Sequence, residues 1–375
     1  MKSLEILPVE NRRRERQFLA LPQNLYRGDP NWVQPLRFQQ AELAGFRPHP
    51  FYLQANSQAF LAVRGEEVCG RIVAIDNQNF NRWHEQALGF FGFFESVDDP
   101  AVARGLLDRA SEWLAQRGAR VMRGPTNPSI NYEWGLLIDG FDNPPMFMMT
   151  YNRPYYAALL EDAGFAKAHD LYAYWGHTRM MGTLSPKHRQ IDEAIRERFG
   201  VTLRSLDRRR FRAEVEMFLD IYNRALSGTW GFEPLSAAEI QRLASELRHL
   251  IVPELTIVAQ VAGEPIGVMF GLLDYNQIIR QLRGRLLPLG WLRLLAGKRQ
   301  LRRVRIISAN VIPEYQNWGV GITLARGLIE PLIKYGIEDV EFSWVLESND
   351  LSRKTLEKGG ARRYKTYRLY DRAMG

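Results

Sequence analysis

Residues 313–322 read PEYQNWGVGI and lie between an apolar run at 303–311 and an amphipathic run at 320–335. The apolar run predicts a strand and the amphipathic run a long helix, which places Gly319 and Gly321 at the start of that helix. Glycines at this point let backbone N–H groups converge on an anion, and the positive end of the helix dipole adds to the attraction. The stretch predicts an anion-binding loop suited to a pyrophosphate, with a plain strand-to-helix turn as the alternative.

The sequence on either side of this loop alternates strands and helices, and a similar order occurs twice. In the second half we expect strands at 201–205, 255–261, 266–272, 340–346 and 365–370, and helices at 211–226, 237–250 and 351–358. In the first half we expect strands at 60–63, 69–75, 88–94 and 170–175, and helices around 102–114 and 154–163. The repeated order predicts an internal duplication of an α/β domain with a mixed sheet. We expect domains at 1–185 and 195–375, joined through the polar stretch 182–197.

The composition excludes several classes of protein. Of the 375 residues, 46% are hydrophobic and 25% charged, so wholesale disorder is excluded. Cys69 is the single cysteine, which excludes an intramolecular disulfide and a cysteine-based metal cluster. The six histidines lack the spacings of metal ligands, and no stretch has the character of a signal peptide or a membrane span. We therefore expect no metal, and a cytoplasmic protein that is either free or peripheral on the inner membrane face.

The net charge of +8 comes from one segment. Between Tyr275 and Pro313 no side chain is acidic, and the nine basic ones are Arg280, Arg283, Arg285, Arg293, Lys298, Arg299, Arg302, Arg303 and Arg305. In the basic insertion at 275–305, and above all over 278–305, these cations alternate with leucines and a tryptophan, a composition typical of segments that lie on an anionic bilayer. A membrane contact is the favoured interpretation. A helical hairpin packed on its own domain is the second, and binding of tRNA is the least favoured, so nucleic acid is not the partner we expect.

The loop has the spacing of a known signature. Gln316-x-x-Gly319-x-Gly321 follows Val311-Ile312-Pro313, and Asn349 precedes the predicted helix at 351–358. Both elements resemble the acyl-CoA site of the GCN5-related N-acetyltransferase (GNAT) superfamily, and the resemblance covers residues 200–375. The first half resembles a second, degenerate copy. The resemblance thus implies a tandem GNAT-like acyl-CoA N-acyltransferase fold.

The resemblance also implies where the acyl-CoA binds. The pantetheine arm would lie between the strands at 303–311 and 340–346, with the backbone amide of Val311 polarising the thioester carbonyl. Asn349 and Ser352 would flank the thiol end. The residues expected to hold the pyrophosphate are Gln316, Asn317, Trp318, Gly319, Val320, Gly321 and Ile322. The co-substrate implied is acetyl-CoA or a longer acyl-CoA.

Catalysis would need a base for the attacking amine and an acid for the leaving thiolate. Glu347 is the candidate base, with a solvated salt bridge as its alternative role. The tyrosine that the superfamily often uses as acid falls on Leu356 here, so Tyr364 is the substitute candidate and Tyr367 the next. Trp344 is an expected acceptor-side residue.

The first copy carries features that argue against a second CoA site. Its helix is entered through Asp98, Asp99 and Pro100, where two carboxylates would repel a pyrophosphate and proline removes a donor. The stretch GPTNPSINYEWG at 124–135 is either an acceptor-side wall or a structural loop. In the first case its polar groups would be Asn131, Tyr132 and Glu133, with Glu133 a further catalytic candidate.

Four functions remain open from the sequence. Together with the tandem organisation, the stretches at 124–135 and 152–165 resemble bacterial GNAT proteins related to bacterial ceramide synthases, which implies transfer of a fatty acyl group to a sphingoid-base-like amine. An N-acetyltransferase of a small amine or amino acid is the second hypothesis. An aminoacyl-tRNA-dependent transferase of the FemABX kind is the third, and a non-catalytic lipid- or protein-binding module is the fourth.

Overall fold

The computed structural model describes residues 2–181, 186–286 and 289–374. Two compact units make up the chain. Unit 1 comprises residues 1–171, 279–290 and 365–375, and unit 2 comprises residues 172–278 and 291–364.

Unit 1 is a mixed sheet with helices, built around an aromatic and aliphatic core. The helix α4, Pro100–Ala115, contributes a fully buried face of Val102, Leu106, Ala110 and Leu114, which lie at helical spacing and pack on the sheet. The elements that lie wholly in this unit are β1 Leu4–Pro8, α1 Arg12–Leu25, α2 Arg37–Leu43, β2 Ala55–Arg64, β3 Glu67–Asn77, α3 Gln78–His84, β4 Leu88–Ser96, α4 Pro100–Ala115, β5 Val121–Gly124, β6 Thr126–Asn127, β7 Glu133–Trp134, β8 Leu136–Asp139 and α5 Tyr156–Asp162.

Unit 2 contains the loop at 313–322. This loop begins as a short 3-10 helix, Pro313–Trp318, that leads through Gly319 into the helix α12, Val320–Tyr335. The elements that lie wholly in this unit are α6 Thr178–Met181, α7 Pro186–Phe199, β10 Val201–Ser205, α8 Phe211–Leu226, α9 Ala237–Leu247, β11 Thr256–Val261, β12 Glu264–Leu273, β13 Arg303–Val311, α12 Val320–Tyr335, β14 Asp339–Leu346 and α13 Asp350–Lys358. Those that cross the boundary between the units are β9 Ala166–His177, α10 Asn276–Leu282, α11 Gly290–Gly297 and β15 Arg362–Ala373.

The two units share one topology. In unit 1, β1 to β4 pair antiparallel in chain order and β4 then pairs parallel with β5 across α4. In unit 2, β10 to β13 pair antiparallel in order, and β13 pairs parallel with β14 across α12. The expected mixed α/β fold in two copies is therefore confirmed.

The division into units differs from the continuous ranges expected, 1–185 and 195–375. Residues 186–197 of the expected junction lie in α7 and belong to unit 2, while residues 182–185 lie outside the described residues. The larger difference is at the C-terminal end. The last part of β15 pairs with β5, from Tyr370 opposite Gly124 to Ala373 opposite Val121, and so completes the sheet of unit 1. Strand pairing joins residues far apart in sequence, so a boundary drawn along the chain cannot follow it.

Candidate functional site

The parallel strands β13 and β14 are paired over only part of their length. Pairing ends at Ile306 opposite Phe342, although β13 runs on to Val311 and β14 to Leu346. The register of β13 against its other neighbour, β12, shifts at the same level, which bends the strand. The two strands therefore separate beyond this level and leave backbone amide and carbonyl groups between them that are not used in pairing each other.

The separated strands lead to the glycines of the loop. Gly319 has φ of +79°, ends the 3-10 helix and precedes α12, whose N-terminus has no side-chain cap. A Cβ atom on Gly319 would be strained by this φ and would lie 2.7 Å from Cδ1 of Ile195. A Cβ atom on Gly321 would meet nothing within 4 Å. An uncapped helix start beside open space fits an anionic group such as a pyrophosphate.

Side chains of the loop fix its conformation. Gln316 donates from Nε2 to the backbone oxygen of Val311 at 3.0 Å, which ties the loop to the end of β13. Trp318 stacks on Phe199 with ring centroids 4.2 Å apart, and Tyr315 packs edge-on against Trp318 at 4.5 Å. Gln316 and Trp318 thus hold the loop in place at the uncapped start of α12. At this start the backbone N–H of Ile322 already donates to the backbone oxygen of Gly319 at 2.9 Å, which leaves Gly319, Val320 and Gly321 as the candidate donors.

Asn349 is the N-cap of α13. Its Oδ1 accepts a hydrogen bond from the backbone N–H of Ser352 at 3.0 Å, which satisfies one of the free donors at the helix start. The pair predicted from the sequence is therefore in contact. Asn349 is exposed, and Ser352 is half-buried.

A buried charged cluster lies at the last paired level of β13 and β14. Ser343 donates from Oγ to Oε1 of Glu341 at 2.6 Å, and Arg305 donates from Nε to Oγ of Ser343 at 2.8 Å. Tyr364 donates its hydroxyl hydrogen to Oε2 of Glu341. Arg305 and Glu341 are almost fully buried, and their charged atoms Nε and Oε1 are 3.8 Å apart. We call Arg305, Glu341, Ser343 and Tyr364 the β13–β14 cluster.

Trp344 and Glu347 adjoin this cluster along the chain. The Trp344 ring lies beneath the guanidinium of Arg305, with 4.5 Å between the carbon of that group and the ring centroid. Glu347 follows the end of β14 and is half-buried, and its backbone oxygen accepts a hydrogen bond from Arg353 at 2.7 Å. Sequence reasoning missed Arg305, Glu341 and Ser343. The signal that could have found them is a charged or polar side chain within an otherwise apolar strand. Such a side chain, when buried, needs a hydrogen-bonding or charged partner.

In unit 1 the space that corresponds to the gap between β13 and β14 lies between β4 and β5, and it is occupied by β6. The pairing of β4 with β5 ends at Phe90 opposite Arg123, and β6 follows directly. Asn127 of β6 accepts a hydrogen bond through Oδ1 from the backbone N–H of Phe93 at 2.6 Å. A Cβ atom on Gly92 would lie 1.7 Å from the backbone oxygen of Thr126, so β6 approaches β4 as closely as a glycine allows.

The N-terminus of α4, the helix of unit 1 that corresponds to α12, is also less open to an anion than that of α12. Asp99 caps α4 by accepting from the backbone N–H of Ala101 at 2.9 Å, and it pairs with Arg64 at 2.6 Å. Asp99 and Pro100 at this helix start leave fewer free donors than the glycines at the start of α12.

The acceptor-side residues predicted at 124–135 belong to unit 1, and the anion loop belongs to unit 2. Tyr132 is buried and packs edge-on against His49 and Phe51, with ring centroids 5.3 and 6.3 Å away. Glu133 pairs through the backbone with Asn127 in the β6–β7 hairpin, and the backbone N–H of Asn131 bonds to Oγ of Ser129 at 3.3 Å. These contacts lie within unit 1, and the acceptor-side role of Asn131, Tyr132 and Glu133 stays a prediction.

In the described residues no group of three His, Cys, Asp or Glu side chains could hold a metal ion. No helix among residues 2–181, 186–286 and 289–374 is long and apolar enough to cross a membrane.

Comparison with known proteins identifies relatives of the whole chain. No protein-family model matches it. The chain is 36% identical over 379 residues to the bacterial ceramide synthase of Caulobacter vibrioides (strain NA1000 / CB15N), an alignment that covers 99% of this chain and 98% of that protein. It is 35% identical over 365 residues to protein YghO of Escherichia coli (strain K12), covering 95% of this chain and 92% of that protein.

Solved structures share the fold at lower sequence identity. A tandem GNAT protein from the clavulanic acid biosynthesis pathway is 12% identical with a TM-score of 0.60, and the match covers 100% of this chain and 99% of that one. A GCN5-related N-acetyltransferase from Sphaerobacter thermophilus is 13% identical with a TM-score of 0.52, covering 98% and 96%. The chain therefore belongs to the family of the Caulobacter ceramide synthase and YghO, and its fold is that of the tandem GNAT proteins.

Proposed function

We propose that this chain is an acyl-CoA-dependent N-acyltransferase whose acceptor is a long-chain primary amine. The observation that carries the proposal is the uncapped start of α12 behind Gly319, at the end of two strands that separate. The family adds support for the acceptor, because a relative 36% identical over nearly the full length is named a ceramide synthase. Transfer of an acetyl group to a small amine or amino acid is the second candidate.

The acyl-CoA would bind in unit 2. The backbone N–H groups of Gly319, Val320 and Gly321 would hold the pyrophosphate, and the separated part of β13 up to Val311 would pair with the pantetheine arm. The thioester supplies an activated carbonyl and a thiolate leaving group. The loop at 313–318 sets the position of the phosphates, since Gln316 fixes it to the end of β13.

Acyl transfer then requires two proton movements. The amine must be neutral to attack, so it gives a proton to a base, for which Glu347 is our candidate, directly or through water. The new amide bond forms as the carbon–sulfur bond breaks, and the thiolate takes a proton from an acid. Tyr364 is our candidate acid. Glu341 accepts from its hydroxyl and so fixes the position of the Tyr364 oxygen.

An aminoacyl-tRNA-dependent transferase is the rival from a different class. Such an enzyme does not need a loop for the CoA pyrophosphate, so the glycines at 319 and 321 favour the CoA-dependent reaction. A non-catalytic binding module is the remaining alternative. Both predict no turnover of any acyl-CoA.

Replacement of Gly321 tests the proposal with little risk to folding, because its Cβ direction is open. Gly321→Glu places a carboxylate beside the proposed pyrophosphate site, and we expect CoA to bind at least about tenfold more weakly. Ala237→Glu is the matched control, since it adds the same charge to the exposed first turn of α9. Isothermal titration with CoA measures both variants. Equal CoA affinity in Gly321→Glu and wild type would show that the site is misplaced.

The acyl donor and acceptor are tested by turnover. Release of free CoA is measured with palmitoyl-CoA and sphinganine, and with acetyl-CoA and a short alkylamine. We expect faster turnover with the long-chain pair. Turnover with the short pair alone would favour the small-amine acetyltransferase, and CoA binding without any turnover would favour a binding module.

A further inference from the structure

The helix α11 in the basic insertion presents apolar side chains to solvent. Trp291, Leu292 and Leu295 are 45%, 44% and 43% exposed, whereas Leu294 of the same helix is buried. Residues 291, 292 and 295 lie within about 100° of one another around a helix, so they form one exposed stripe. Large exposed side chains elsewhere in the described residues, such as Leu53 and Leu351, are far apart in sequence. A cluster of this kind marks an interaction surface.

Some cations of the insertion are held inside unit 2. Lys298 donates to the backbone oxygens of His249 and Ile251 at 3.3 and 2.8 Å. Arg303 pairs with Asp274 at 3.5 Å, and Arg305 belongs to the buried β13–β14 cluster. These three serve the fold and are not available to a partner.

Other cations of the insertion are exposed. Arg293 lies on α11 itself, and Arg299 and Arg302 follow within a few residues. No acidic residue occurs in the sequence from 275 to 313. An exposed apolar stripe in a segment that itself carries cations and no acids complements an anionic bilayer, where aromatic and aliphatic side chains enter the interface and cations stay at the headgroups.

We propose that α11 docks the protein on an anionic membrane surface through Trp291, Leu292 and Leu295, with Arg293 and Arg299 at the lipid headgroups. This contact goes beyond the proposed acyl transfer. It needs neither acyl-CoA nor amine, so it can be tested separately. A lipid surface is favoured over RNA because the exposed face is apolar, whereas RNA binding draws chiefly on phosphate contacts and base stacking.

The test is flotation of the full-length protein with two kinds of vesicle. One consists of phosphatidylcholine, and the other of equimolar phosphatidylcholine and phosphatidylglycerol. Wild type is expected to float with the anionic vesicles, and less as salt is added. Trp291→Ser with Leu295→Ser should weaken this binding by about tenfold or more, and Arg293→Gln with Arg299→Gln by about fivefold for each cation.

Control variants outside α11 show whether loss of vesicle binding is specific to α11 or follows from removing any exposed apolar or basic side chain. Leu351→Ser and Ile333→Ser remove exposed apolar side chains elsewhere in unit 2, and Arg12→Gln with Arg13→Gln removes the same net charge from α1. These controls should bind vesicles as wild type does, and melting curves establish that every variant folds.

Four results would overturn the proposal. The first is equal binding of wild type to both kinds of vesicle, and the second is unchanged binding of the α11 variants. The third is the absence of vesicle binding together with a change in sedimentation of Trp291→Ser with Leu295→Ser, which would assign the stripe to contact between two copies of the chain. Retention on duplex RNA without vesicle binding would count against it in the same way.

Discussion

Tyr364→Phe separates a structural from a chemical role of the β13–β14 cluster. The substitution keeps the ring and removes the hydroxyl that donates to Oε2 of Glu341. Glu341 is fully buried, and its other oxygen accepts from Ser343 at 2.6 Å. The variant therefore leaves a buried carboxylate oxygen without its phenolic donor.

The expected size of the effect follows from that geometry. A buried acceptor that loses its donor costs about 1–3 kcal/mol. For a unit of this size 1 kcal/mol shifts the melting temperature by about 2–4 °C, so we expect a decrease of about 5 °C in Tm. If Tyr364 also supplies the proton to the thiolate, kcat falls by about 10²–10⁴-fold, far more than the loss of stability explains.

Differential scanning fluorimetry and the CoA-release assay measure the two effects. Tyr335→Phe is the control, because its hydroxyl donates to the backbone oxygen of Lys298 at 3.2 Å in the same unit. A kcat equal to that of Tyr335→Phe would refute Tyr364 as the acid while leaving its structural role in place. An unchanged Tm would refute the cost assigned to Glu341.

Two further predictions concern stability. Gly92→Ala should destabilise unit 1 by about 3 kcal/mol or more, because the new Cβ would lie 1.7 Å from the backbone oxygen of Thr126. The control is Gly105→Ala in α4, whose Cβ would meet only side-chain atoms, of Ile6 at 3.1 Å and of Leu4 at 3.8 Å. Equal melting temperatures of the two variants would contradict the prediction. Burial raises the pKa of Asp274 from 3.8 to about 6. The protonated Asp274 carboxyl therefore contributes stability that is fully present below pH 3.8. This stability, about 3 kcal/mol, is lost as the pH rises through about 6. Asp274→Asn should remove this slope from urea unfolding curves, and an identical pH dependence in wild type and variant would contradict it.

The conformation of the loop at 313–322 and the bounds of its flanking elements were predictable, because the glycines that the backbone requires are visible in the sequence. Gly319 occupies a left-handed conformation that few other residues tolerate, and the bounds expected for β13 and α12 match the structure to the residue. The β13–β14 cluster was not predictable in the same way. A glutamate within a strand, such as Glu341, is compatible with either an exposed or a buried face, and only the pairing of β13 with β14 decides between them.

The sequence also failed to predict elements whose hydrophobic periodicity is weak. The helix α1 begins with charged residues and buries only Phe18, Leu21 and Pro22, so its periodicity is faint. The role of 124–135 could not be decided from sequence, because the approach of Thr126 to Gly92 depends on tertiary packing. The sequence of β15 indicates a strand, but it does not indicate which other strands pair with it.

The pairing of β15 with β5 has a consequence for how the protein folds during translation. Unit 1 contains residues 1–171, yet its sheet also takes in β15, whose residues 365–373 are translated after the whole of unit 2. Residues 1–171 therefore leave β5 without this partner strand until unit 2 has been translated. A fragment of residues 1–171 would lack the strand, and we expect it to unfold at a lower temperature than the chain of residues 1–375.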